Sequence, residues 1–576
     1  MSGLNKSAVG LGLGVSLLAL AGCGGYSNAA AAGLHKGGTA VVALLPQSAP
    51  NWFFPIVPNT NYFAANAQAI AMIYKPLVQI GPKDTPVLSQ SLAKSITWNK
   101  SGTVYTLKLN PKWHWSNGQP VTSKDVVFSW QIAMATSQPN APWINGGSGI
   151  GGIPARIKSI AAKGAYTVVV TLNQPSNQQW FVRNGLGQFF GVAPASVWDR
   201  YPKDMTEELN FIHSVASNPT APEFRVVDGP YRLSKMVPNQ YWQFVPNRRY
   251  DGHKSLLNKV IFQYETSDQT EFAALKSGTV SVGYMPFSMW ASRNALTSDT
   301  LKPLFRLGFN YVQLNLSPKA EGGIGSVFQQ LPVRQALQYG INEVQINKTF
   351  YHGLGAVENS PIAAEPKTPF YDPRLSKLTY PFDIAKGKAV LLKNGWQLKH
   401  GVMIKNGRKL AFTLDYTTGS STLESIVQVL QQNWKSEGID VQLNALAPNS
   451  LFSIMSPATA QKWQAAIWDG GWGYKPDYYP SGGGLFATGS GSNFGSYSNA
   501  NMNALIKASY APAATPQAAY ASLGRYLAYA SRQLPATLWM PWTPVLFVHA
   551  KALHGSVQHA NMIDNIYEPN YWWVSQ

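Results

Sequence analysis

Apolar and polar positions alternate most cleanly in GTVYTLKLN, residues 102–110. Tyr105, Leu107 and Leu109 share one face, and Thr106 and Lys108 share the other. That period of two predicts a half-buried strand. The next segment, PKWHWSNGQPVTSKDVVFSWQIAMA, changes period. Asn117-Gly118 marks a turn. Thr122 and Asp125 have the spacing of a capping box. Val126, Trp130, Ala133 and Met134 then fall on one helical face. From about 155 to 305 strands dominate, with TVVVTL (167–172), GPYRLSKMV (229–237) and NKVIFQY (258–264). A short helix over 270–277 is closed by Gly278. From about 330 the pattern turns to helix and strand. LPVRQALQYGI places Pro332 in a first turn with Val333, Ala336, Leu337 and Ile341 on one face. In STLESIVQVLQQNWKSEGIDVQLNAL, Leu423, Ile426, Val427, Leu430 and Trp434 form a stripe. Gly438 ends that helix, and Ile439, Val441 and Leu443 alternate as a strand. The chemistry is mixed α/β, without a repeat of 20 to 50 residues.

Length adds a second lobe, because 576 residues exceed what one core usually supports. After the N-terminus nothing approaches the roughly 18 to 20 apolar residues of a membrane span. The N-terminus itself reads as a targeting segment: Lys6, then the apolar run AVGLGLGVSLLALAG, then Cys23. Leu20-Ala21-Gly22-Cys23 resembles the bacterial lipobox, in which the thiol takes a diacylglyceryl group. The blander reading is a plain secretory signal with an incidental cysteine. Cys23 is the chain's one cysteine, so a lipidated thiol suits a disulfide-free exported protein. This gives a signal peptide over 1–22 and a lipidated flexible tether over 23–36. The body is then anchored to the membrane through its N-terminal lipid only.

Charge narrows the surroundings. Lys plus Arg number 46 against 27 Asp plus Glu, a net charge of +19. Nucleic-acid binding fits poorly, because the basic residues are dispersed and the chain reads as exported. Two readings stand: attraction to an anionic envelope surface, or life at acidic external pH, where carboxylates lose charge.

Several segments in fixed order resemble the peptide/nickel-type solute-binding proteins of ABC importers, family 5. These are IYKPLVQI (73–80), the block 86–133, VVDGPYRLSKMVPNQYWQFVPNRRY (226–250), LPVRQALQYGINEVQI (331–346), KAVLLKNGW (388–396) and GSNFGSYSNANMNALI (491–506). Two departures are visible: Asn342 stands where the family usually has an aspartate, and VSVGYMP (280–286) lacks the usual acidic residue. The resemblance implies a periplasmic-binding-protein-like fold (type II, cluster C), with two α/β lobes, hinge strands and an interlobe ligand cleft. Lobe I is expected over 37–305, with an extra subdomain at about 61–194. Lobe II follows over 306–535. A C-terminal return over 536–576 is expected, its crossing near LWMPWTPVLFV (538–548).

Candidate chemistry centres on WDGGWGYKPDYYPSGGG, residues 468–484, too glycine-rich for a helix and too aromatic for an ordinary loop. By the resemblance, such a segment with an aspartate next to a proline, here Pro476-Asp477, lines the cleft. Glycines allow close backbone approach, so a peptide can pair like an added strand. Rings offer apolar contact, and a carboxylate can hold an α-ammonium. Asp477 is the expected ammonium partner and Asp469 the fallback. Trp468, Trp472, Tyr474 and Tyr478 are the expected aromatic contacts. An ordinary carboxyl titrates near about 3.9, so affinity through Asp477 is expected to fall below about pH 4. Asn493 reads as a loop-fixing residue.

Enzyme readings find little. HExxH is absent, and no serine sits in GxSxG. GSGIGG (147–152) fits GxGxxG formally, but a turn and not a strand precedes it, so it reads as a loop. His114 and His352 have no partner at metal-ligand spacing. The expectation is therefore a non-enzymatic, monomeric receptor on the outer face of the cell membrane. It would need no cofactor, metal or nucleic acid. It would capture peptides and hand them to a separate ABC permease and ATPase. The alternatives are the same role for an oligosaccharide, opine or metal chelate, or an envelope sensor lipoprotein.

Overall fold

The computed structural model describes residues 36–575, apart from Gln188, Phe190 and Pro476. The expected signal peptide, Cys23 and the tether up to residue 35 lie outside the described residues, as does Pro476 of the Pro476-Asp477 pair.

The alternating segment forms the strand Val104–Leu109, with Tyr105, Leu107 and Leu109 buried and Lys108 exposed. It joins Ala93–Trp98, Thr167–Leu172 and Ile157–Ala162 in a four-stranded antiparallel sheet. The helix Ser123–Ala135 covers that sheet, burying Val126, Trp130 and Ala133. Asp125 closes the capping box, its Oδ2 accepting the Thr122 N–H at 2.8 Å. Its Oδ1 accepts the Ala195 N–H at 2.9 Å.

Two larger sheets carry the lobes. The first has seven strands, in the order Asp299–Leu304, Val545–Ala550, Val282–Tyr284, Thr39–Ala43, Lys259–Gln263, Tyr241–Pro246 and Tyr231–Val237. The second contains Asp440–Leu446, Ala411–Thr417, Ala465–Ile467, Gly308–Leu314 and Trp472–Gly473, and Thr537–Met540 also pairs with Gly308–Leu314. The helix Ser421–Ser436 buries the predicted stripe from Leu423 to Trp434. Trp434 Nε1 donates to the Leu337 carbonyl at 2.8 Å, tying this helix to Leu331–Tyr339. Asn342 accounts for one departure from the family pattern: its Oδ1 accepts the Gln345 N–H at 3.0 Å and caps the helix Glu343–Phe350. Asparagine does this as well as aspartate.

Two crossings link the sheets. One runs from Leu304 to Gly308 and the other from Met540 to Val545. Leu304 pairs with Val545 in the first sheet, and Asn310 pairs with Met540 in the second, both antiparallel. The crossings therefore run side by side, and Trp542 Nε1 donates to the Arg306 carbonyl between them at 3.3 Å. A paired ribbon of this kind lets lobes rotate while their sheets stay intact. Thr537–Met540 pairs in the second sheet and Val545–Ala550 in the first.

Candidate ligand-binding cleft between the lobes

A cavity of about 330 Å³ lies between the lobes, within the roughly 300–1,000 Å³ usual for small-ligand sites. Tyr62, Phe63 and Asp268 line it from the first lobe, and Phe452, Trp468 and Asp469 from the second. Arg306 reaches it from the crossing ribbon. Rings line it from both sides. Phe63 and Phe452 stack at 5.7 Å with planes 9° apart, and Tyr62 lies over Trp472 at 6.2 Å. Tyr62 Oη donates to the Lys475 carbonyl at 2.7 Å, and the Asp268 N–H to the Gly419 carbonyl at 3.0 Å.

The walls are mostly apolar, so the charged groups in them matter. Asp469 is exposed to the cavity yet enclosed by the protein. Burial pushes its carboxyl up, opposed by the Ser420 hydroxyl and the Arg306 charge. Asp268 is pushed up to about 7, first by burial and then by the charge of Asp469. Arg306 donates from Nη2 to the Gly470 carbonyl at 3.0 Å, and its guanidinium lies 5.5 Å over the Trp542 ring. Its Nε is buried without a partner among the described residues. The site thus offers a carboxylate facing the cavity, a second acid nearby, and a cation on the crossing ribbon.

The predicted residues divide. Trp468 and Trp472 line the cavity, as does Asp469. Trp468 Nε1 is held by the Gly471 carbonyl at 2.9 Å, whereas Trp472 Nε1 has no partner among the described residues. Tyr474, Asp477 and Tyr478 are buried in the interior and do not line the cavity. Tyr474 Oη donates to the Pro361 carbonyl, and Tyr478 Oη to Asp564. Asp477 accepts from Asn184 Nδ2 and, at 3.5 Å, from Ser481 Oγ. Burial pushes Asp477 up to about 7, against the N–H groups of Ser481 and Gly482 and the Asn184 amide. It therefore does not titrate like the ordinary carboxyl assumed from sequence. Asn493 does fix its loop: Nδ2 donates to the Ala487 and Tyr497 carbonyls at 3.0 and 2.7 Å.

The glycines also differ from expectation. A Cβ on Gly471 would strike the Phe309 carbonyl, so that glycine serves the chain's own sheet. Gly473 has open space where a Cβ would stand and lines the cavity. Sequence reasoning missed Tyr62, Phe63, Asp268, Arg306 and Phe452. Each stands in a segment without a motif, and only the lobe contact brings them together.

GSGIGG (147–152) is indeed a turn, and it forms part of the lobe contact. The Gly491 N–H donates to the Ser148 carbonyl at 2.6 Å, and Ser492 Oγ to the Gly146 carbonyl at 2.6 Å. A Cβ on Gly149 would lie 2.6 Å from Ser490 Cα, and one on Gly483 would strike the Gly151 nitrogen. Such approach requires bare backbone on both lobes. Gly149→Ala is therefore expected to weaken ligand capture roughly tenfold by disfavouring closure. Small-angle scattering should then show a more extended ligand-mixed protein. Gly152→Ala is the control, because its Cβ meets nothing within 4 Å while its φ of +78° carries similar backbone strain. Equal behaviour of the two variants would rule out a closing role.

Among the described residues, no group of three or more His, Cys, Asp and Glu side chains is placed to hold a metal ion. His114 Nδ1 lies 3.2 Å from Asp251, and His352 Nε2 lies 3.0 Å from the Phe287 carbonyl.

Two α/β lobes, a paired crossing ribbon and a cavity between them define a two-lobed binding protein of the periplasmic type. The chain belongs to the bacterial extracellular solute-binding proteins, family 5, whose middle-region model matches residues 88–494. It is 24% identical over 443 residues to the oligopeptide-binding protein AppA of Bacillus subtilis (strain 168), covering 76% of this chain and 75% of that one. It is likewise 24% identical over 434 residues to the oligopeptide-binding protein OppA of Lactococcus lactis subsp. lactis, covering 71% and 69%. The solved structure of Bacillus subtilis AppA in complex with a nonapeptide superposes with a TM-score of 0.80. It shares 19% identity and covers 94% of this chain and 100% of that one. The fold is therefore that of a type II, cluster C binding protein.

Proposed function

We propose that this chain is the substrate-binding component of an ABC importer and captures peptides in the interlobe cavity. The observation that carries this reading is Asp469, a carboxylate exposed on the aromatic-walled cavity beside Gly473, where no side chain stands between backbone and cavity. A peptide's α-ammonium pairs with Asp469, with Asp268 adding negative potential. Its backbone approaches the chain at Gly473, and its side chains rest on the apolar walls to which Phe63, Phe452 and Trp468 contribute. Such contacts read backbone more than side chain, which suits broad peptide capture. The oligopeptide-binding relatives support the same substrate class.

The remaining assignments follow from the same reading. Lobe I spans 37–305 with the extra subdomain, lobe II runs to Met540, and the rest returns to lobe I. Cys23 carries a lipid that holds a monomer at the outer face of the cell membrane, or in the periplasmic space of a two-membrane envelope. No helix among the described residues is long and apolar enough to cross a membrane. The protein performs no chemistry of its own; a separate permease and ATPase supply transport.

The direct test is to express the chain from Gly24, denature it in mild acid, and identify co-purifying small molecules by mass spectrometry. Short peptides of mixed sequence are the expected result. A single non-peptide species would keep the fold and overturn the substrate.

A further inference from the structure

A second cavity, of about 360 Å³, adjoins the first. Lys475, Asp564 and Tyr567 line both, so the ion pair Lys475 Nζ–Asp564 Oδ1, at 3.1 Å, stands at their junction. The two cavities differ in character. The second contains Lys75, Lys112 and Lys475 among polar walls.

Its carboxylates are already engaged. Besides Lys475, Asp564 accepts from Gln79 Nε2 at 3.0 Å and from Tyr478 Oη. Glu568 lies 3.6 Å from His559, and Asp251 lies 3.2 Å from His114. Lys75 is in a different position. It is 6% exposed, and its ammonium meets one acceptor among the described residues, Tyr250 Oη at 3.2 Å. The ring of Trp113 lies 4.4 Å from Lys75 Nζ and 4.2 Å from Lys112 Nζ. Two ammonium groups thus flank one indole beside a polar cavity. Asp228, behind Lys75, spends its Oδ1 on the Lys75 backbone N–H at 3.0 Å. Burial opposes the charged ammonium, and the charges of Asp228 and Glu568 favour it, without either carboxylate coming within hydrogen-bond reach of Nζ. A buried ammonium with unused N–H groups is costly unless an anion or water fills them.

We propose that this second cavity is a carboxylate subsite, with Lys75 as its buried cationic partner and Lys112 assisting at its mouth. Its natural occupant is the C-terminal carboxylate of a peptide whose ammonium end lies at Asp469, which rests on the peptide reading above. A separate small carboxylate has the same chemistry and is the other source. Division of labour follows: one cavity receives the positive end of a zwitterion and its neighbour the negative end.

The test compares alanine tri-, tetra- and pentapeptides with their C-terminal amides, by calorimetry, on the wild type, Lys75→Met and Lys112→Gln. A parallel series follows thermal unfolding in sodium acetate against sodium chloride. The expected result is free-acid binding roughly tenfold or more tighter than amide binding at one or more lengths. That ratio should fall to about one in Lys75→Met and partway in Lys112→Gln. Lys112 is exposed, so its variant reports even where Lys75→Met fails to fold. Acetate-specific stabilisation lost in the variants, with no acid-to-amide ratio, supports the subsite with a separate carboxylate as occupant. The acetate series reads the cavity even where no peptide binds, so failure of the peptide reading is told apart from failure of the subsite. No acid-to-amide discrimination and no acetate effect in the wild type would overturn the proposal.

Discussion

Asp469→Asn is expected to weaken binding of peptides with a free amino terminus by about 2 kcal/mol, roughly 30-fold. N-acetylated peptides should bind the wild type and the variant equally. The reason is geometric. Asp469 faces the cavity, whereas Asp477 is committed to Asn184 and Ser481. Asp477→Asn should therefore leave the dependence on a free ammonium intact. The sign of the pH effect follows from burial, which holds the Asp469 carboxyl above the usual range. Pairing with an ammonium needs the ionised form, so wild-type affinity falls as pH drops through that raised value. In Asp469→Asn this slope should vanish. Calorimetric titration from pH 8 to pH 4 checks both points. A full loss in Asp477→Asn with none in Asp469→Asn would return the ammonium site to Asp477.

Stability is expected to rise as the solution is acidified from about pH 8 to about pH 5, opposite to the usual behaviour of carboxylate-paired proteins. The cause is a set of buried acids. Burial lifts Asp84, Glu568 and Asp477 to about 7 and Glu437 to about 9. Burial also raises Glu271, Glu343 and Glu358 well above the ordinary carboxyl range. Each such group holds a proton in the folded state that the unfolded chain releases above about pH 4.5. The folded state therefore binds more protons across that window, and stability declines as pH rises through it. Acids with lowered values act the other way and only at lower pH. Arg374 lowers Asp372, and the Lys386 backbone and ammonium lower Asp383. Their contribution is lost below about pH 4.

Glu437 isolates the effect. It lies just after the helix Ser421–Ser436, where a negative charge opposes the helix dipole. Neither carboxyl oxygen has a partner among the described residues, and a Cβ on Gly387 would strike one of them. After burial, the charge of Asp383 raises it further. Glutamine has the same shape and no proton to lose. Glu437→Gln should thus match the wild type near pH 5 and exceed it by roughly 3 kcal/mol near pH 7. Urea unfolding at the two pH values measures this directly. A constant difference between variant and wild type would show that Glu437 is not held neutral by the fold. An acid-side stability maximum would also favour acidic surroundings over envelope attraction as the reason for the chain's basic balance.

Much of the fold was legible in the sequence because strand and helix periods depend on near neighbours. The alternation at Tyr105, Leu107 and Leu109 needed only a buried face, and the stripe from Leu423 to Trp434 needed only one side of a helix. The glycine- and aromatic-rich segment was also legible as a place to look, since it supplies Trp468, Asp469 and Trp472 to the cavity. Which of its side chains face the ligand space was not legible. Asp477 turns inward because Asn184, 293 residues away, meets it there. Across the lobes, Tyr62 reaches the Lys475 backbone, 413 residues away in the chain. Sequence alone thus determined the elements, the family resemblance and the segment that carries the site. Tertiary structure alone decided which of its side chains line the cavity and what the glycine turn at 147–152 packs against, because both depend on which surfaces of the two lobes meet.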